Sequence, residues 1–182
     1  MSKKFSIRDF CFIGVFAAII AALTLVSIPM PNGVAMTLQT FAIALAGIVL
    51  GAKKGTIATI VYILLGAVGL PIFSGFRGGL SVLVGPTGGF ILSFPIIAVL
   101  SGIGSKTNKI IPLYVGIVSG ALINYLCGIL MFMVVTSANL YGALAACVIP
   151  FIITDSIKII MAGLLGKQIK AALEKAGMLT SE

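Results

Sequence analysis

Gly66–Phe90, GAVGLPIFSGFRGGLSVLVGPTGGF, is rich in glycine, carries Pro71 and Pro86, and lies between hydrophobic runs on both sides. Glycine weakens a helix and proline breaks its hydrogen-bond ladder, so this stretch is not continuous helix. Irregular backbone at membrane depth is tolerated only where protein buries it or where it lines an aqueous cavity. The apolar spacing Phe73, Phe76, Leu80, Leu83 and the two prolines argue against a floppy linker. The reading is a shaped cap over a binding cavity, with Arg77 as its one charge.

The rest of the chain is written for lipid. Of its 182 residues, 60% are hydrophobic and 9% are charged, and the mean hydropathy is +1.26. A soluble domain carries roughly 25% charged residues. The expectation is an all-α integral membrane protein with one transmembrane substrate-binding domain over 1–182. Six apolar segments are expected at about 10–28, 37–50, 55–70, 87–104, 110–135 and 143–166. The first reaches about 28 Å at 1.5 Å per residue, enough to cross the hydrocarbon. Preceded by Lys3, Lys4 and Arg8, it also invites a signal-peptide reading; its apolar run is long for that and no small-residue cleavage site follows, so a retained helix is expected. The second segment is short for a span, and is expected either to be extended by neighbours or to be packed inside the bundle.

Loop charges set the orientation. Lys3, Lys4 and Arg8 precede the first segment, Lys53 and Lys54 join the second to the third, Lys106 and Lys109 join the fourth to the fifth, and Lys167, Lys170 and Lys175 follow the sixth. The loops on the other side hold only Arg77. By the positive-inside rule both termini are cytoplasmic, in a multi-pass protein of the cell membrane.

The remaining basic residue, Lys158, sits inside the sixth segment three positions after Asp155, so the two share a helical face. Either charge alone in hydrocarbon costs about 2.5–3.5 kcal/mol. The pair is read either as an inert structural bridge or as a ligand site. Pro150 frees a backbone carbonyl nearby. Asn124, Tyr125 and Gln39 are further polar groups at membrane depth; each alone is interhelical glue, and together they read as a polar lining. Ala17, Ala18, Ala21 and Ala22 form two overlapping small-xxx-small pairs that Gly14 extends, with similar pairs at Gly47/Gly51 and Gly116/Gly120. Such faces suit close helix approach, within the bundle or against a partner.

Absences narrow the function. There is no histidine, and Cys11, Cys127 and Cys147 form no C-x-x-C pair, so neither a metal site nor a redox dithiol is expected. No phosphate-cradling G-x-x-x-x-G-K-[ST] occurs: before Gly166-Lys167, Met161 stands where the first glycine belongs. The chain is therefore not its own ATPase. Without histidine there is no acyl-transfer triad, and no catalytic residue or cofactor is expected. Of the four acids Asp9, Asp155, Glu174 and Glu182, only Asp155 lies in a span. The available chemistry is binding.

Gly75–Phe90 (GFRGGLSVLVGPTGGF), the preceding LLGAVGLPIF of Leu64–Phe73, and Asp155-x-x-Lys158 resemble the biotin-specific BioY family, the substrate-binding S components of energy-coupling factor (ECF) transporters. The resemblance covers nearly the whole chain. It implies a six-helix S-component bundle and biotin as the transported ligand. It also implies that Asp155 and Lys158 act on the substrate, and that the helix-1 face of Ala17, Ala18, Ala21 and Ala22 meets a transmembrane coupling subunit working with two cytosolic ATPases, the only users of ATP. Biotin offers a ureido ring, an apolar thioether ring and chain, and a carboxylate. Asp155 is suited to accept ureido N–H bonds and Lys158 to donate to an oxygen. Their charges cancel, so the carboxylate is assigned to Arg77 and to an anion nest of nearby amides, with Gly85, Thr87 and Gly88 as candidates. Lys158 bound to the carboxylate is the competing orientation. The alternative function is a self-sufficient secondary carrier or channel for a small anionic substrate.

Overall fold

The computed structural model describes residues 5–30, 33–107 and 109–179; Lys3, Lys4 and Glu182 lie outside them. The chain is almost wholly helical. Helix α1, Ile7–Leu25, starts three residues before its apolar run because Ser6 and Asp9 form a capping box, with Asp9 returning a carboxylate to the Ser6 amide at 3.0 Å. It also ends earlier than expected. Ser27–Ile28 (β1) instead pairs antiparallel with Met36–Thr37 (β2), making a small ribbon at this end of the bundle.

Helix α2 runs Gln39–Ala67, with one non-helical residue, Gly51, at φ 80°. Two contacts show that the chain reverses there. Gln39 Nε2 donates to Tyr62 Oη at 2.6 Å, and a Cβ on Gly55 would lie 2.7 Å from the Gly47 Cα. The second and third expected segments are therefore the two arms of one helical hairpin. Its turn is a single glycine, so Lys53 and Lys54 stand in the first turn of the second arm and not in a loop. With ψ at 166° this positive φ lies in a region that glycine alone enters readily, and a side chain there costs about 1–3 kcal/mol. The short first arm is the centre of the bundle: residues 42–50 are all buried. Of the two sequence expectations for it, packing inside the bundle is the one observed.

The glycine-rich stretch is ordered by contacts with α2. Phe73 and Arg77 exchange backbone hydrogen bonds of 2.9 and 3.3 Å, and the Phe73 ring buries against Gly66 and edge-on to Tyr62. Gly79 N–H reaches back to Gly66 C=O at 2.7 Å, and Leu80–Leu83 forms a single helical turn, α3.

Helices α4 (Gly88–Gly104) and α5 (Ile110–Thr136) cross closely, because Gly89, Gly116 and Gly120 each lie where a Cβ would strike the other helix. The expected single segment 143–166 is two helices, α6 (Leu140–Cys147) and α7 (Ile152–Lys175), bent by 50° across a break that holds Pro150. Proline supplies no N–H to carry a helix through. Helix α7 runs on to Lys175, so Lys167, Lys170 and Lys175 are helical and do not follow the helix as expected. Helices α1 and α5 are individually long and apolar enough to cross a bilayer; α2 reaches that length only across its reversal at Gly51, and α6 and α7 reach it only when the bent pair is taken together.

Basic residues gather at one end. Lys54 Nζ pairs with Asp9 at 2.7 Å, Arg8 donates to Gly177 C=O at 2.6 Å, and Lys170 donates to Ser105 C=O at 3.1 Å. These contacts join the start of α1, the α2 turn, the end of α4 and the end of α7. Arg77 lies at the opposite end of the hairpin, beside the first turn of α2 and the last turn of its second arm.

Candidate functional site

Between that end of the hairpin and the middle of the bundle lies a cavity lined by Gln39, Arg77, Thr87, Asn124, Tyr125, Asp155 and Lys158. These seven candidates come from five different parts of the chain, and the fold brings them together. Its walls between the polar groups are apolar and largely aromatic: Phe73, Val82, Phe90, Ile91, Phe94 and Phe151.

The floor is a hydrogen-bonded set. Lys158 Nζ donates to Asp155 Oδ1 at 2.7 Å, and both side chains are mostly buried, 11% and 15% exposed. From α5, Tyr125 donates its hydroxyl to Asp155 Oδ2. Each carboxylate oxygen thus accepts one bond and keeps a lone pair for another donor. Asn124, one residue earlier, is buried and spends both amide hydrogens on α4, on Phe90 C=O and Ser93 Oγ at 2.8 Å each. Its carbonyl oxygen is what it offers a ligand. Gln39, also buried, is tied to Tyr62, whose hydroxyl leans on Ile72 C=O at 3.4 Å. That chain of bonds couples the first turn of α2 to the start of the glycine-rich cap.

The rim is cationic. Arg77 is exposed, and its Nε donates to Ser74 C=O at 3.2 Å, which holds the guanidinium beside the cavity mouth. The glycines behave otherwise than expected. Gly85 and Gly88 do not line the cavity, and their amides donate to Val82 C=O at 3.3 Å and Gly85 C=O at 2.9 Å. A Cβ on Gly88 would sit 1.8 Å from the Leu83 carbonyl. These are packing glycines; with their amides already used inside the turn, they offer no anion nest.

Sequence reasoning missed several lining residues: Thr40, Ser74, Cys147 and the segment Val34–Ala35 before β2. The aromatic walls had a signal, since Phe90 and Phe94 are one helical turn apart, but that spacing equally describes core. Nothing in the sequence pattern separates the lining hydroxyls from those that bond their own helix.

The helix-1 candidates divide. Ala17 is buried at 3% exposure and Ala21 is half-buried against the core, whereas Gly14, Ala18 and Ala22 are exposed, with open space around Gly14. One small-residue row packs the bundle, and the other faces outward.

The model of the BioY family matches residues 1–175. This chain belongs to the BioY family. Among BioY proteins it is 38% identical over 176 residues to the biotin transporter BioY of Rhodobacter capsulatus, spanning 89% of this chain and 93% of that one. It is 37% identical over 158 residues to the biotin transporter BioY of Thermotoga maritima, covering 86% and 92%. Its fold matches the crystal structure of the S-component for biotin from an ECF-type ABC transporter with a TM-score of 0.83, covering 94% of this chain and 95% of that one at 24% identity. BioY proteins are transporters and not enzymes. Within the BioY fold, this chain holds a cavity with the Asp155–Lys158 ion pair among its lining residues.

Proposed function

We propose that this chain is a high-affinity biotin-binding membrane subunit feeding an ATP-driven importer. The observation that carries this reading is the cavity's three-part polarity: a floor of Tyr125, Asp155, Lys158 and Asn124, an aromatic middle, and Arg77 at the rim. Biotin has the same order of chemistry, from ureido ring through an apolar ring and chain to a carboxylate. In this reading the free lone pairs of Asp155 accept ureido N–H groups, Lys158 donates to the ureido oxygen, and Arg77 meets the carboxylate at the mouth.

In this reading the partners are those the family resemblance implies, a transmembrane coupling subunit and two cytosolic ATPases that use the ATP, and the lack of a P-loop in this sequence agrees with it. The outward row Gly14, Ala18 and Ala22 is the proposed contact for that subunit, since small side chains let a partner helix approach closely. The lysine-rich end is placed in the cytoplasm with both termini, in the cell membrane; the Arg8–Gly177 contact supports a shared end for the two termini.

The test is the ligand itself. The protein, purified from cells grown with biotin, should retain biotin identifiable by mass spectrometry, and the emptied protein should rebind it saturably at one site. Absence of saturable biotin binding to well-folded protein rejects the reading. Uptake into proteoliposomes by this chain alone, without ATP, would favour a self-sufficient carrier.

A further inference from the structure

Buried hydroxyls in this protein are generally satisfied by backbone. Thr24 and Thr59 each donate to the carbonyl four residues back, at 2.7 and 2.9 Å, and Ser93, Ser101 and Ser105 also find carbonyls. Among the described residues, two buried side-chain polar atoms have no protein partner: Thr40 Oγ1 and Ser74 Oγ. Both belong to residues that line the ligand cavity.

Local structure explains why neither bonds its own backbone. Thr40 is the second residue of α2, and the position four residues back, Met36, belongs to β2 rather than to a helical turn. Ser74 lies inside the Phe73–Arg77 turn, where its carbonyl is taken by Arg77 and no helix runs beneath it. Leaving a buried hydroxyl unpaired is unfavourable, so a structure retains one mainly where something else completes it.

Their positions differ. Thr40 also lines a smaller apolar hollow on the inner side of the floor, together with Asn124, Tyr125, Asp155 and Lys158. It is therefore part of the floor, on the α2 side of the Asp155–Lys158 pair. Ser74 is three residues from Arg77 and holds its guanidinium, so it is part of the rim.

We propose that Thr40 and Ser74 are ligand-contact residues at opposite ends of the cavity. Thr40 Oγ1 hydrogen-bonds the ureido ring at the floor, and Ser74 Oγ donates to the carboxylate beside Arg77. This assignment rests on the biotin reading above. A hydroxyl both donates and accepts, which suits a ureido ring presenting N–H and C=O, and its proton suits a carboxylate oxygen.

The experiment measures biotin and biotinamide binding, and the thermal midpoint of the unliganded protein, for wild type, Thr40→Val, Thr40→Ser and Ser74→Ala. Thr40→Val and Ser74→Ala should each weaken biotin binding by roughly three- to tenfold. Their unliganded midpoints should stay level or rise, because each substitution removes a buried unpaired hydroxyl. Thr40→Ser should restore affinity. The loss in Ser74→Ala should shrink with biotinamide, which lacks the carboxylate charge, while the loss in Thr40→Val should persist. Biotin affinities within twofold of wild type in both variants would overturn the proposal, as would weakened binding accompanied by a lowered midpoint, the sign of a structural role. Failure of the wild type to bind biotin rejects the underlying reading instead, so the two failures are distinguishable.

Discussion

Tyr125 on α5 donates its hydroxyl proton to Asp155 on α7, and so links two helices through the carboxylate that Lys158 neutralises. Asp155 is thereby held by a neutral donor on one oxygen and a charged donor on the other. The spacing of Asp155 and Lys158 is visible in one helix, but the phenol comes from 30 residues away. A carboxylate fixed on both oxygens presents its remaining lone pairs in set directions, which is what a rigid ring with two N–H groups requires.

The first prediction concerns this set. Asp155→Asn and Lys158→Ala should each weaken biotin binding by two or more decades while the protein still inserts. Removing one member of a buried pair leaves the other uncompensated, at about 3–5 kcal/mol. Tyr125→Phe should cost less, about tenfold, since it removes one hydrogen bond and leaves the ion pair. Isotherms for Asp155→Asn and Lys158→Ala that match wild type would make the pair an inert bridge.

Helix α1 should show two phenotypes. Ala18→Leu with Ala22→Leu crowds an exposed row, so folding and biotin binding should persist while co-purification with the coupling subunit and ATP-driven uptake fall together. Ala17→Leu overfills the core at a residue only 3% exposed and should lower the thermal midpoint, by about 1–3 kcal/mol of stability. Undiminished assembly with the crowded outer row would move the partner interface elsewhere.

Ligand orientation is read by charge. If Arg77 meets the carboxylate, wild type should bind biotinamide distinctly more weakly than biotin, and Arg77→Gln should narrow the gap. A hydrogen bond to a charged group contributes about 1.5–3 kcal/mol, so the narrowing should be about tenfold or more. The same narrowing in Lys158→Met, and not in Arg77→Gln, would turn the ligand round.

Backbone packing predicts a graded glycine series in the unliganded protein. Gly51→Ala places a side chain at φ 80° and ψ 166° and should destabilise by about 1–3 kcal/mol. Gly47→Val should fail to fold or lose far more, because even a Cβ there would lie 2.4 Å from the Ala98 carbonyl. Gly14→Ala, with nothing within 4 Å, should be neutral to folding. Comparable midpoints for Gly47→Val and Gly14→Ala would contradict the packing described.

Much of this protein is present in its order of residues. Hydropathy marks the helical passes, lysine placement marks the end that Asp9–Lys54 and Arg8–Gly177 then join, and D-x-x-K places Asp155 and Lys158 on one face. The helix boundaries were less legible where local chemistry overrode hydropathy, as at the Ser6–Asp9 capping box and at Pro150. What only tertiary structure decided is direction. In a helix that is apolar on all sides, periodicity says which residues share a face but not which face meets the bundle. Ala17 and Ala18 therefore look equivalent in sequence, yet one is core and the other is exposed. For the same reason the reversal at Gly51, the use of Gly88 for packing rather than binding, and the unpaired hydroxyls of Thr40 and Ser74 depend on what other helices bring alongside.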